Sequence, residues 1–253
     1  MIRSSILSSG SKGNAIYFET DKCSILIDNG LSFKRLEEKL EFIDRRSDDL
    51  TAVIVSHEHG DHAKGVALLA KRKNIPVYIT PSTLAKLPDI EARAPHLNIF
   101  HCGNSIEIED VSIDTFPTPH DAIDSSGFIL RSGDYSIGLA TDMGYVTNLA
   151  KYKLSTVNHL MIEANHDPEL LMIGPYPWHV KQRIKGTKGH LSNNDCFELL
   201  RDVLHEEMSH VSFLHLSDEN NNKDILHQMA AEKLVPRNLG YTIGSQLQAS
   251  PLI

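Results

Sequence analysis

Ser56-His57-Glu58-His59-Gly60-Asp61-His62 decides how this chain is read, since five of these seven side chains can bind a metal ion. The preceding Thr51-Ala52-Val53-Ile54-Val55 is a short, β-branched apolar run, the pattern of a buried strand. His57 and His59 stand two apart as that strand ends, so extended backbone puts both imidazoles on one side. Gly60 permits a sharp turn. Asp61 and His62 then fall at the start of a helix expected over Ala63 to Lys73 and point into the same space. Four ligand-type groups converge, more than one tetrahedral ion with an open position needs, and this favours two ions.

The bulk properties set the class. The chain has 253 residues, 41% hydrophobic and 23% charged, which suits one domain over 1–253 with a full core. A net charge of -8 argues against nucleic-acid binding by bulk electrostatics, though not against a local basic groove. Cys23, Cys102 and Cys196 form no CxxC pair, and an odd number fits a reducing compartment. No apolar run reaches membrane-spanning length, and Met1 to Leu7 is too short and polar for a secretory signal. A cytoplasmic protein with no membrane partner is expected.

Outward from the motif, residues 2–8, 14–20 and 23–28 read as strands, with Ser9-Gly10-Ser11-Lys12-Gly13-Asn14 as a hairpin turn. An amphipathic helix follows over Ser32 to Ile43, carrying Leu36, Leu40 and Ile43 on one face. Beyond the motif, strands are expected at 76–80, 97–101, 105–109, 111–116, 127–131, 136–140, 159–163 and 210–214. A short helix starts at Pro81, a longer one covers about Asn194 to Glu206, and a last one ends near Leu234. The stretch around Gly174-Pro175-Tyr176-Pro177-Trp178 reads as irregular. Two facing sheets with helices outside both is the architecture expected, a four-layer α/β (α+β) sandwich.

Further candidate ligands share one position in the pattern. Asp28, His120, Asp142, His190 and His215 each sit at or just past a strand end or in a proline-stiffened loop, where such architectures display chemistry. The remaining histidines, His159 and His166 among them, read as surface or packing residues.

These residues together resemble the metallo-β-lactamase superfamily over nearly the whole chain: Asp28, His57-x-His59-x-Asp61-His62, His120, Asp142 and a late histidine. The Ser9-Gly10-Ser11-x-Gly13-Asn14, Gly189-His190-Leu191-Ser192-Asn193 and His215-Leu216-Ser217-x-Glu219-Asn220-Asn221 segments are similar to the YycJ (WalJ) group within it. The resemblance implies an αβ/βα sandwich with metals at one sheet edge. It implies His57, His59 and His120 on one ion, Asp61, His62 and His215 on a second, and Asp142 between them. Asp28 takes a supporting place behind a ligand. His190, Asp61 and Asp142 are the catalytic candidates.

Two dications, zinc or manganese, would lower the pKa of a shared water and clamp a phosphodiester. His190 in Gly-His-Leu-Ser favours phosphodiester over thioester cleavage. The basic run Lys181, Arg183, Lys185 and Lys188, with Ser192 and Asn193, is the candidate substrate contact. The group resemblance implies a DNA exonuclease acting 5′ to 3′ in repair, with DNA favoured over RNA. A phosphodiesterase of small cyclic phosphates, a thioester hydrolase and a non-catalytic metal-binding module remain the alternatives.

Overall fold

A computed structural model describes residues 2–253. The first sheet follows chain order through β1 (Arg3–Ser8), β2 (Ala15–Glu19), β3 (Ser24–Ile27), β4 (Ala52–Ile54), β5 (Val77–Ile79) and β6 (Leu97–Ile99). Its first three strands pair antiparallel and the rest parallel. The second sheet holds β7 (Ser105–Ile108), β8 (Val111–Pro117), β9 (Ser126–Ser132), β10 (Tyr135–Ala140), β11 (His159–Glu163), β12 (His210–Leu214) and β13 (Gly240–Ile243), again in chain order. It is antiparallel up to β10 and parallel from there to β13.

Period-two alternation builds the layers. Along β3 and β4, Ile25, Ile27, Ala52 and Ile54 face the second sheet, where they meet Phe128, Leu130 and Met161. Leu26 and Val53 face outward onto helices that supply Leu36, Leu40, Val66 and Leu69. The second sheet repeats the device, with Leu160, Ile162, Val211 and Phe213 packed under Leu154, Phe197, Leu200 and Leu226. The order is helices, sheet, sheet, helices. A fully buried leucine such as Leu40 contributes in the range that makes its truncation to alanine cost about 2–5 kcal/mol.

The helices are α1 (Phe33–Phe42), α2 (Gly60–Ala63), α3 (Val66–Lys73), α4 (Pro81–Leu84), α5 (Pro88–Arg93), α6 (Asn148–Leu154), α7 (Pro168–Ile173), α8 (Trp178–Lys185), α9 (Asn193–Val203) and α10 (Lys223–Lys233). The single helix expected over Ala63 to Lys73 is two. α2 already holds Asp61 and His62, and the chain breaks at Gly65, where a Cβ would lie 2.1 Å from Leu31 O. α5, α6, α7, α8 and β13 were not expected. They are short, and α8 buries no residue, so no apolar stripe marks it. No helix among the described residues is long and apolar enough to cross a membrane.

Candidate metal centre

Strand direction brings the candidate ligands together. β3, β4, β8, β10, β11 and β12 all end toward one edge, and Asp28, His57, His120, Asp142, Glu163 and His215 stand at or just beyond those ends. Three of them hold left-handed backbone: Asp28 at φ 61°, Asp142 at φ 57° and His215 at φ 55°. Non-glycine residues rarely adopt it, and Asp and His are among those that tolerate it best. The turn aims each side chain into the cleft instead of along its strand.

The donors fall into overlapping sets whose ligand atoms lie within 4.8 Å of one another: His57, His59 and His120; Asp61, His62 and His215; and His57, His62 and Asp142. Asp142 is common ground. Its Oδ2 is 3.3 Å from His62 Nε2, and its Oδ1 is 3.6 Å from both His120 Nε2 and His215 Nε2. Every residue expected around the ions is therefore in the cluster.

Hydrogen bonding behind the rings fixes which nitrogen faces inward. Asp28 accepts from the Ser56 amide at 2.8 Å, the Ser56 hydroxyl at 2.7 Å and His62 Nδ1 at 2.7 Å. With its proton given to Asp28, Ser56 Oγ accepts from His57 Nδ1 at 2.9 Å. His120 Nδ1 donates to Gly189 O at 3.1 Å, and His215 Nδ1 donates to Glu163 Oε1 at 3.0 Å. Four imidazoles are thus tied at Nδ1 and present the Nε2 lone pair to the cleft, the arrangement that raises a ring's basicity toward a cation. His59 enters by Nδ1, 3.2 Å from His120 Nε2.

The buried polar atoms test whether a cation suits this place. His57 Nε2, His215 Nε2 and Asp142 Oδ2 are buried without a hydrogen-bond partner. Leaving three such atoms unmet is costly, and one kind of ligand, a divalent metal ion, satisfies nitrogen lone pairs and a carboxylate at once. Protonation equilibria carry the same imprint. Burial works against charge on His62 and His215, yet the carboxylates around them outweigh it. His62 is held well above its ordinary range and His215 is pushed up to about 10. Burial and the neighbouring His62 push His57 well below its ordinary value. Burial opposes charge on Asp142 too, but the surrounding histidines hold it well below the usual carboxylate range. A field strong enough to trap protons is one a dication can take over, releasing them.

Glu163 was not singled out in the sequence. It is fully buried at the end of β11 and accepts from His190 Nδ1 at 2.7 Å, His215 Nδ1 at 3.0 Å, the Met143 amide at 2.9 Å and the Leu191 amide at 3.1 Å. His190 and His215 stack with ring centroids 5.0 Å apart. Asn14, which belongs to the turn motif but was given no place at the site, puts its Nδ2 3.2 Å from Asp61 Oδ2 and 3.0 Å from His62 Nε2. Its backbone amide also donates to Asp61 O at 2.7 Å. A carboxylate ending a buried strand was the available signal for Glu163, the same one that marked Asp28 and Asp142.

The expected substrate contacts divide. Arg183, Lys185 and Lys188 are exposed on α8 and the turn after it. Arg183 pairs with Asp121, beside His120, and Lys181 Nζ donates to Met172 O at 2.7 Å. Ser192 and Asn193 are engaged within the chain. The Ser192 hydroxyl caps α9 and donates to Asp195 Oδ2 at 2.6 Å. Asn193 is fully buried in a reciprocal amide pair with Asn221, 2.9 Å in each direction. Both groups serve the start of α9.

Fold and cleft together define a metallo-β-lactamase-type sandwich, and the model of the β-lactamase superfamily domain matches residues 24–212. The chain belongs to the metallo-β-lactamase superfamily. It is 36% identical over 242 residues to exodeoxyribonuclease WalJ of Streptococcus pneumoniae, covering 93% of this chain and 89% of that one. It is 33% identical over 238 residues to exodeoxyribonuclease YycJ of Bacillus anthracis, covering 93% and 90%. Among solved structures, the metallo-β-lactamase fold protein YhfI from Bacillus subtilis superposes with a TM-score of 0.75 over 98% of both chains at 14% identity, a likeness of fold.

Proposed function

We propose that this chain is a single-domain, cytoplasmic, metal-dependent phosphodiesterase that digests DNA as an exonuclease, 5′ to 3′, using two divalent cations, zinc or manganese. The observation that carries the reading is Asp142 lying between two three-residue donor sets, with His190 clamped by Glu163 beside them. The choice of DNA is supported by two relatives that are both named exodeoxyribonucleases and match over almost their full length.

His57, His59 and His120 would hold one ion, Asp61, His62 and His215 the other, and Asp142 both. Such ions, when bound, supply water activation near neutral pH and charge neutralisation at the phosphoryl oxygens. The chain's own groups do the rest. Asp28, Ser56, Gly189 O and Glu163 keep the imidazoles in register, so little reorganisation accompanies the reaction. With its Nδ1–H given to the ionised Glu163, His190 in its imidazolium form would carry a second proton at Nε2 to donate to a phosphoryl oxygen or to the leaving oxygen, a role worth roughly 10²–10⁴-fold in rate. Arg183 at the mouth meets the backbone of the incoming strand, exchanging Asp121 for phosphate.

The test offers 5′- and 3′-labelled DNA, matching RNA and a cyclic dinucleotide to the purified chain with zinc and manganese in parallel. Stepwise loss from the 5′ end of DNA is expected. Turnover of the cyclic dinucleotide alone would transfer the site to small phosphodiesters.

A further inference from the structure

We infer that Gln246 is a positioning residue for one of the two ions. Its side-chain amide clips the Ser9–Asn14 turn, and that turn braces all three ligands of the Asp61, His62 and His215 set. This inference rests on the two-ion reading and adds that the segment after β13 sets the affinity of one ion and not of the other.

The turn reaches each ligand by a different group. The Ser9 hydroxyl accepts from the His215 amide at 2.7 Å. Asn14 Oδ1 accepts from the Gly10 amide at 2.8 Å, which fixes the orientation of that side chain. Its Nδ2 is therefore the end that faces Asp61 Oδ2 at 3.2 Å and His62 Nε2 at 3.0 Å. The Asn14 amide holds Asp61 O from behind at 2.7 Å. His57 and His120 of the other set draw their support elsewhere, from Ser56 Oγ and Gly189 O.

A turn of this composition does not hold its shape alone. Ser9-Gly10-Ser11-Lys12-Gly13-Asn14 carries two glycines, with Gly10 at φ 137°, and glycine leaves an unfastened backbone many alternatives. Gln246 removes them. Its Oε1 accepts from the Lys12 amide at 2.8 Å, and its Nε2 donates to Gly13 O at 2.8 Å. A Cβ at Gly10 would lie 3.0 Å from Gln246 Cγ, so the side chain is packed on the turn as well as bonded to it.

Gln246 is itself anchored. The Ser9 amide donates to Ser245 O at 3.2 Å, the Ser250 amide to Ile6 O at 2.9 Å and the Ile253 amide to Ser4 O at 3.0 Å. Residues 244–253 thus lie along β1, the edge strand of the first sheet. A segment that leaves the second sheet locks a turn of the first against ligands from both. Order already present in the turn is order that ion binding need not supply, and losing support of this kind weakens a metal site about 10–100-fold.

Zinc would be titrated calorimetrically, against a competing chelator, into the metal-free full-length chain, with His215→Ala identifying which of two binding steps belongs to the braced set. Gln246→Met keeps the bulk of the side chain and removes both hydrogen bonds. It should weaken that step about tenfold and leave the other unchanged. Asn14→Ala should weaken the same step, and the double variant should be no weaker than Asn14→Ala, because both act through one turn. Coupling is reciprocal, so filling the braced set should slow exchange of the Lys12 amide about tenfold in the unaltered chain.

Four results would each overturn the clip and leave the two-ion reading standing. These are both steps weakened alike, both steps unchanged even if the melting temperature falls, a double variant weakened by the product of the single effects, and Lys12 exchange indifferent to zinc. An unaltered chain that takes up one ion would defeat the two-ion reading and this inference with it.

Discussion

Glu163 Oε1 lies 2.7 Å from His190 Nδ1, and the same oxygen is 3.0 Å from His215 Nδ1. One buried carboxylate therefore orients a proposed metal ligand and the proposed proton donor together. Burial opposes its charge, but His190 and His215 outweigh that and bring it down to about 2, so it stays ionised at any working pH. Glu163→Gln keeps the shape and removes the charge. Metal affinity measured calorimetrically should fall about 10–100-fold, and phosphodiester turnover should fall at least as far. A variant with unchanged affinity and turnover would remove Glu163 from the mechanism.

Gly30 and Asp61 touch through backbone: a Cβ at Gly30 would sit 1.7 Å from Asp61 O. Gly30→Ala must displace the loop that presents Asp61, so it should cost about 1–3 kcal/mol in denaturant unfolding and weaken metal binding as well. A variant with wild-type stability would show that this contact can relax freely.

Metal removal should loosen the whole chain, because ligands from both sheets meet at the cleft. Ion at about 100 times its dissociation constant adds roughly 2.7 kcal/mol, or about 5–10 °C in melting temperature for a chain of this size. Apparent affinity should weaken as pH falls, since His62 and His215 must release protons to bind. Calorimetric melting with and without chelator, at several pH values, checks both statements.

Far from the cleft, His159 is buried between Ser212 Oγ at 2.9 Å and Ser4 Oγ at 3.5 Å. Burial, helped by neighbouring His210, lowers its pKa from 6.5 to about 3. As pH falls below 6.5 the unfolded chain takes up a proton that the fold refuses, so stability is lost between about 6.5 and 3. By pH 5.5 this one group should cost about 1.4 kcal/mol. In His159→Gln the drop in unfolding free energy from pH 7.5 to 5.5 should shrink by that amount; an unchanged drop would place the acid sensitivity elsewhere.

How much of this was legible in the sequence depends on how each residue announces itself. His57 through His62 are contiguous and chemically uncommon, so the motif could be read directly. Asp28 and Asp142 ended apolar runs and drew notice with it. Glu163 ends His159-Leu160-Met161-Ile162 in the same way, but no histidine or glycine adjoins it to suggest a site. Asn14 looked like a turn residue, which it also is; its side-chain role depends on a contact 47 positions away in sequence. α8 was unreadable because periodicity reports burial, and that helix buries nothing. Asn193 shows the converse: in the sequence a polar residue three positions after His190 looks free, and only the fold shows its amide paired with Asn221.

The central claim is a pair of ions held on either side of Asp142. Anomalous diffraction at the manganese or zinc edge measures it directly. The account predicts two peaks about 3.5–4 Å apart, one among His57, His59 and His120 and the other among Asp61, His62 and His215. A single peak, or peaks away from these residues, would contradict it.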